Sequence, residues 1–220
     1  GDARFTTITG IVFEKEDTLL ICEYHNPVVR RVSLLGQVST IAGSKEQGDM
    51  DGVGVLARFN RPNGIDIDSK GMIYVCDAGN DNIRIVHPHT GLVTTVLIND
   101  ANSVAPVSVP GFLKNPTSVA VDMNDDLIVV DMGHNCVRKI NVASGRMVVI
   151  AGNGECGDKD GVGEFAQFSD ELRGAVVDGN NNIILADYNN LKIRMITKEG
   201  MVSTLAGWSN PDYEYNDSKV

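Results

Sequence analysis

The sequence predicts an all-β protein, a β-propeller whose blades are four-stranded antiparallel sheets, with four blades in this chain. Three observations lead to this fold class. A short apolar strand that ends in an acidic residue occurs four times, and an arginine follows each acid seven residues later. No stretch of helical length carries apolar residues at the period of an amphipathic helix. A four-stranded unit that recurs every roughly 40–55 residues is the pattern of a propeller blade.

The acid and arginine positions define the repeat. The acids lie 54, 54 and 56 residues apart. The pairs are Glu23 and Arg30, Asp77 and Arg84, Asp131 and Arg138, and Asp187 and Arg194. We interpret them as structural, because a carboxylate that accepts turn N–H groups and a guanidinium from the next strand would fix a hairpin in every repeat. The alternative is a ring of carboxylates that captures a cation in the central channel.

The second repeat shows the order of the elements most clearly. Phe59 opens the unit, and apolar strands follow at residues 65–68, 73–77 and 83–85, with Gly91 in a tight turn before the last strand. Turns of two to five residues between strands require antiparallel neighbours. The second strand is almost continuously apolar, which indicates that both of its faces are buried between packed sheets.

The four repeats account for the whole chain, so we predict no second domain. We predict one propeller region over residues 1–220, with repeats at about 5–58, 59–111, 112–167 and 168–220. Each repeat is expected to open on a phenylalanine, at Phe5, Phe59, Phe112 and Phe168. The chain begins close to a repeat boundary and ends in a linker that stops before a fifth phenylalanine. We therefore expect an arc of a larger ring.

The segment from Phe59 to Arg84 reads F-x-x-P-x-G-I-x-I-D-x-x-G-x-I-Y-V-x-D-x-G-N-x-x-I-R and closely resembles the NHL repeat. The sequence VSTIAG at residues 38–43 resembles the closing strand of such units, and the resemblance runs from about Phe5 to Gly207. It implies a propeller, in a family whose rings usually have six blades, so these four are expected to be part of a six-bladed ring. It is nearly silent on function, because the family includes ubiquitin ligases that bind RNA, receptor sensor domains, extracellular scaffolds and a zinc-dependent amidating lyase.

The net charge and the amino-acid composition argue against some classes of binding partner. The net charge is −10 and the pI is about 4.8, which argues against a nucleic-acid-binding surface. No apolar run approaches the length of a membrane helix, so we expect a soluble chain without membrane insertion. Four cysteines without a C-x-x-C pair predict neither a disulfide scaffold nor a zinc ribbon. The compartment is left open, and an extracytoplasmic or cell-surface location fits the sequence.

Two nearly identical loops, at residues 48–54 and 157–163, are the weak metal candidates. Their Asp-x-Asp-Gly motif resembles part of a calcium loop, but the carboxylate expected at the twelfth position is missing. The candidate ligands are Asp49, Asp51, Asp158 and Asp160. We favour an inter-blade turn over a calcium site and predict no cofactor.

Histidines decide whether an enzyme of the lyase type is expected. The resemblance implies that a lyase would bind zinc through histidines from several blades. His25 and His134 occupy different positions of the repeat, while His87 and His89 follow a third strand. We therefore predict no metal site and no catalytic residue, and an enzyme is the less favoured interpretation.

The third linker, residues 99–110, breaks the repeat and predicts a recognition loop on the rim of a rigid scaffold. The candidate partner-binding residues are Asn99, Asn102, Val104 and Val107. Tyr24 and Tyr188 are candidate aromatic anchors on the rim, or they cover a blade edge.

We predict a non-catalytic binding or scaffold module that presents rim loops to a protein, peptide or glycan. Remaining propeller blades or adjoining domains of the parent protein are further expected partners. The alternative is a metal-dependent lyase or hydrolase of this propeller class with part of its site in blades absent from this chain.

Overall fold

The computed structural model describes residues 4–99 and 109–207, which form four antiparallel β-sheets. Blades 1 and 3 have four strands each. Blade 1 contains β1 (Ile8–Lys15), β2 (Thr18–Glu23), β3 (Val28–Ser33) and β4 (Val38–Gly43). Blade 3 contains β10 (Pro116–Val121), β11 (Leu127–Asp131), β12 (Cys136–Asn141) and β13 (Arg146–Ala151).

Blades 2 and 4 gain a short fifth strand from the loop that precedes them. Blade 2 contains β5 (Gly52–Val53), β6 (Pro62–Ile67), β7 (Ile73–Asp77), β8 (Asn82–Val86) and β9 (Leu92–Thr95). Blade 4 contains β14 (Gly161–Val162), β15 (Leu172–Val177), β16 (Ile183–Asp187), β17 (Lys192–Ile196) and β18 (Met201–Ala206). The short strands β5 and β14 pair with the outermost strands β9 and β18.

The blades follow one another around a central channel, and the predicted four-bladed all-β propeller fold is confirmed. The innermost strand of each blade packs against that of the next, β1 on β6, β6 on β10 and β10 on β15. Within the described residues, no helix is long and apolar enough to cross a membrane.

The core lies between the blades rather than inside any one of them. Each of three clusters joins the side of one blade to the facing side of the next. In the first cluster, Leu20, Cys22, Val29 and Ala42 of blade 1 pack against Phe59, Ile65, Ile73 and Val75 of blade 2. Complete burial of one such leucine, isoleucine or phenylalanine contributes about 1.5–3 kcal/mol, so the blades depend on their neighbours for stability.

Turns on one rim also join successive blades. The turn between the first two strands of blade 3 places Asp125 beside blade 2, where Ser69 donates from its N–H and its hydroxyl at 2.9 and 2.7 Å. The same turn of blade 4 places the side-chain Oδ1 of Asn181 where it accepts the N–H of Met123 at 3.1 Å. Each turn thus reaches back to the preceding blade.

The opening of the third repeat differs from the sequence prediction. Leu113, not Phe112, occupies the buried position that Phe59 and Phe168 fill in their blades. Phe112 is exposed and packs edge-on against the His134 ring at 5.3 Å. The smaller leucine fits because the third cluster is already filled by Tyr74, Met147 and neighbouring residues.

Candidate functional site

Each acid and arginine pair forms a buried acid–arginine lock. In blade 2, Asp77 Oδ1 accepts the Asn60 N–H at 2.6 Å, and Oδ2 accepts from Asn80 Nδ2 at 2.8 Å and Arg84 Nη1 at 2.9 Å. Both charged side chains are inaccessible to solvent. Burial raises the pKa of Asp77 above its ordinary value, although the three donors oppose that effect.

The other three blades repeat this geometry with local changes. Asp187 accepts from the Ser169 N–H, Asn190 and Arg194, as in blade 2. Blade 1 has the longer Glu23, which accepts from Thr6 and from Arg30 Nε at 2.5 Å. In blade 3, His134 Nδ1 takes the place of the asparagine, 2.9 Å from Asp131, and Arg138 Nε lies 2.5 Å from the same carboxylate.

An aromatic ring covers three of the four arginines. The guanidinium carbon lies over the opening phenylalanine of its blade at 5.8, 5.4 and 5.3 Å. These contacts join Arg30 to Phe5, Arg84 to Phe59 and Arg194 to Phe168. A cation over a ring face gains electrostatic energy when both are desolvated, so the phenylalanine and the acid act on the same guanidinium.

The two Asp-x-Asp-Gly loops form ion pairs with two of these arginines, Arg84 and Arg194. Arg84 Nη2 lies 2.6 Å from Asp51 and Nη1 lies 3.3 Å from Asp49. Arg194 contacts the equivalent Asp160 at 2.7 Å and Asp158 at 3.4 Å. The carboxylates that were the weak metal candidates therefore face a guanidinium, which is a cation held by the chain itself.

The remaining reactive side chains are dispersed. Within residues 4–99 and 109–207, no three His, Cys, Asp or Glu side chains are grouped so that they could hold a metal ion. His87 and His89 pack edge-on against each other at 5.9 Å, away from His134. All four cysteines are free, and burial raises the pKa of the Cys22 thiol to about 12, which keeps it protonated and poorly nucleophilic at neutral pH.

The central channel is a cavity of about 650 Å³ lined by the innermost strands of all four blades. None of the four lock carboxylates lines it. At one equivalent position of the innermost strand, blades 1 to 4 carry Thr9, Asn63, Thr117 and Arg173, respectively. The Thr9 hydroxyl donates to the Pro62 carbonyl at 2.9 Å and the Thr117 hydroxyl to the Leu172 carbonyl at 3.0 Å, so two of these side chains join neighbouring blades.

Asp66 is the carboxylate of the channel wall. Its two oxygens accept the N–H of Ile67 at 2.9 Å and, across to blade 3, the N–H of Val121 at 2.8 Å. Burial raises the pKa of Asp66, and the two backbone donors oppose that effect. The residues at the same position of the other three blades are Val12, Ala120 and Val176. Because these are apolar, the repeat pattern does not predict a carboxylate here.

Arg173 and Tyr188 stand together where the channel meets the rim. The Arg173 guanidinium lies over the Tyr188 ring at 5.6 Å and contacts the Glu171 carboxylate. Both Arg173 and Tyr188 are exposed. The sequence signals this place twice, by Tyr188 as a candidate rim anchor and by the departure from the repeat at residues 170–173, where the proline turn is displaced.

Comparison with known proteins identifies the repeat. The family model for the NHL repeat matches residues 59–87. The chain carries an NHL repeat. It is 29% identical over 162 residues to NHL repeat-containing protein 2 of Homo sapiens, and the match covers 67% of this chain and 22% of the relative. The chain therefore spans about a fifth of the length of that NHL protein.

Solved structures share the fold of this NHL chain at low sequence identity. A streptogramin B lyase superposes with a TM-score of 0.60 and 13% identity, over 92% of this chain and 55% of the lyase. An auxiliary nutrient binding protein from Bacteroides ovatus gives 0.57 and 18%, over 92% of this chain and 58% of that protein. At such identity the likeness shows the propeller fold alone.

The predicted recognition loop, residues 99–110, is described only at its two ends. Asn99 is exposed, and its N–H donates to the Gly145 carbonyl at 2.8 Å, which joins this residue to the last turn of blade 3. The other three predicted partner-binding residues, Asn102, Val104 and Val107, lie outside the described residues.

Proposed function

We propose that the chain is a non-catalytic binding module that holds a peptide or glycan at the mouth of the central channel. The observation that carries this proposal is the exposed pair of Arg173 and Tyr188. At the position equivalent to Arg173, blades 1 and 3 carry Thr9 and Thr117. The hydroxyl of each of these threonines joins its blade to the next one. Arg173 is directed to the rim instead, where it meets Tyr188.

The chemistry of this pair suits a ligand with both polar and apolar faces. A guanidinium carries five N–H donors, and among the described residues Glu171 is the one acidic contact of Arg173, which leaves donors for carbonyl or hydroxyl oxygens of a ligand. The Tyr188 ring offers an apolar face to a sugar or a side chain. Tyrosine and arginine are the residue types that dominate binding energy at interfaces. Arg173 lies in β15 and Tyr188 directly follows β16, so the sheet positions both backbones and little ordering is needed on binding.

The solved neighbours support a binding role in general terms, since one of them is named as a nutrient binding protein. The lyase among them has the same fold. We assign no catalytic residue in this chain, because the described histidines do not converge on one place and the carboxylates of the two loops face arginines.

The test is a ligand search followed by substitution at the pair. The whole chain is screened against immobilised glycans and peptides, and the affinity for the best ligand is measured by calorimetry. Arg173→Ala and Tyr188→Ala should each weaken binding about tenfold or more, equivalent to about 1.4 kcal/mol. Arg146→Ala, at an exposed arginine at the start of β13, is the matched control and should bind as the unmodified chain does. Equal losses in all three variants, or none at the pair, would contradict the proposal.

A further inference from the structure

The outer edge of blade 3 differs from the outer edges of blades 2 and 4. Each of these three blades follows a linker from the preceding blade. In blades 2 and 4, the linker adds a fifth strand to the outermost strand, and this fifth strand pairs with Val93 and Val202, respectively. Met147 is the equivalent residue of β13, since all three pair with the same position of the third strand of their blade. Among the described residues, no strand pairs with the outer edge of β13.

The linker into blade 3 forms no such strand before it reaches its blade. In blade 4, residues 152–162 lie between β13 and Gly163, and they include β14. In blade 3, residues 96–98 alone lie between β9 and Asn99. The N–H of Gly163 donates to the last turn of blade 4 at 2.9 Å, and the N–H of Asn99 donates to the same turn of blade 3 at 2.8 Å. The two residues therefore occupy the same place, and the strand that precedes Gly163 has no counterpart before Asn99.

The Asp-x-Asp-Gly loops of blades 2 and 4 also bind the outermost strand. Asp160 Oδ2 accepts the backbone N–H of Thr204 at 3.0 Å, and Oδ1 accepts its hydroxyl at 3.2 Å. In blade 2, the Thr95 hydroxyl donates to Asp51 at 3.1 Å. Val149 is the equivalent residue of β13, since each of these residues pairs with the lock arginine of its blade. No carboxylate of the described residues accepts the Val149 N–H.

The lock arginine of blade 3 lacks the same loop. Arg84 and Arg194 each contact two loop carboxylates besides the acid of their lock. Arg138 contacts Asp131, and its Nη2 donates to two carbonyl oxygens at 2.8 and 3.0 Å. Its Nη1 has no hydrogen-bond acceptor in the described part of the chain. Blade 3 therefore lacks both the fifth strand and the two carboxylates that accompany it in blades 2 and 4.

The side chains of β13 make its edge more apolar than the edges of the other blades. At two central positions, the other outermost strands carry serine or threonine, at residues 39–40, 94–95 and 203–204. β13 has Val148 and Val149 there, and both are partly buried. An edge of apolar β-branched residues with unpaired backbone groups is a template for a further strand.

We propose that the outer edge of blade 3 binds an extended acidic segment of a partner protein, which adds the missing fifth strand. The loops of blades 2 and 4 identify this occupant, because they show which chemistry the same edge accepts in this chain. The segment pairs its backbone with β13 beside Met147, and its carboxylates accept from Arg138 and the Val149 N–H. Addition of a strand gains affinity from main-chain hydrogen bonds. The edge lies on the outer side of the blade, so this inference does not depend on the function proposed for the channel mouth.

The first test is hydrogen exchange of the backbone amides in the unmodified whole chain, followed by NMR. Asp160 caps the Thr204 amide, which should exchange slowly. The Val149 amide should exchange about tenfold faster or more, because no acceptor covers it. Equal protection of the two amides without any added peptide would overturn the proposal, since the chain itself would then cover the edge of blade 3.

The second test is binding of the end-capped peptide GDMDGVG, which has the sequence of residues 48–54. It should bind the whole chain in calorimetry and slow the exchange of the Val149 amide. Two altered peptides should each bind about tenfold more weakly or worse. One has both aspartates replaced by asparagine, and the other is N-methylated at the residues that correspond to Gly52 and Val53. These changes leave the protein untouched, so its folding does not affect the comparison.

A third test changes the edge itself. Val149→Pro removes the N–H and should abolish protection of β13 by the peptide. Val149→Thr introduces the residue type of blades 2 and 4 but keeps the N–H, so it should still bind and thus separates the backbone from the side chain. Circular dichroism checks the folding of both variants, and the N-methylated peptide replaces Val149→Pro if that variant does not fold. Absence of peptide binding, or equal binding of the native and N-methylated peptides, would overturn the proposal.

Discussion

Arg84 shows, at the scale of single residues, how this chain stabilises a charge that has no access to water. Its guanidinium contacts Asp77, Asp51 and Asp49 and lies over the Phe59 ring. Arg30 is the simpler case, because Glu23 is its one acidic contact in the described part of the chain and part of its side chain is exposed. A buried ion pair gains little over a well-packed apolar core, but removing one partner leaves the other charge buried and unpaired.

Arg84→Met should therefore lower the free energy of unfolding by about 3–5 kcal/mol. The loss arises because the buried Asp77 carboxylate keeps its charge without a counter-ion. Urea denaturation measures the effect. Arg30→Met is the matched control and should cost less, since solvent reaches that position and one carboxylate rather than three loses its arginine. Equal losses for the two variants would contradict this account of the lock.

At the scale of elements, the turn between the first and second strands of blades 2, 3 and 4 is stabilised by an aspartate at its start. Asp122 Oδ1 accepts the N–H groups of Asn124 and Asp126, and Oδ2 lies 2.8 Å from Lys139 Nζ. Partial burial raises the pKa of Asp122, but these donors together outweigh it and bring the pKa below its ordinary value of 3.8. Asp68 and Asp178 hold the equivalent turns.

The lowered pKa of Asp122 predicts a pH dependence. A carboxyl group whose pKa is depressed in the folded state stabilises the fold above its unfolded pKa, and this contribution is lost as the pH falls through the folded pKa. Asp122→Asn keeps the turn acceptor and removes the charge. It should cost about 1 kcal/mol at neutral pH, and the difference from the unmodified chain should disappear below pH 3.8. Thermal melting across this pH range tests it, and a constant difference would contradict it.

At the scale of the whole molecule, stability lies in the contacts between blades, because each sheet buries its residues against another sheet. Gly64 is at the closest approach of two inner strands, whereas Gly174 has the same place with open space beside it. The two glycines therefore distinguish a filled junction from an unfilled one within a single chain.

Gly64→Ala should destabilise the chain by about 1–3 kcal/mol, because the added methyl group would overlap the backbone of blade 3. Gly174→Ala should change stability by less than about 0.5 kcal/mol. Both are measured by chemical denaturation. If Gly174→Ala lowered the free energy of unfolding as much as Gly64→Ala, the loss would come from the backbone conformation of glycine and not from the contact between blades.

The sequence predicted what recurs in every blade and missed what occurs once. The propeller fold could be read from the spacing of Asp77 and its equivalents, since the same residue types return at one period. Leu113 could not be distinguished from Phe112, because a shift of one residue in an irregular linker leaves no periodic signal. Arg173 and Asp66 were missed for a related reason: neither residue type recurs at the same position of the other blades, so the repeat does not mark them.

The turns that reach back to the preceding blade have a consequence for how the molecule is made. Asp125 and Asn181 each bond to a blade that precedes their own in the chain. Because the amino end leaves the ribosome first, the preceding blade has already been synthesised when each of these two turns emerges. These contacts therefore allow blades 3 and 4 to be added in the order of synthesis.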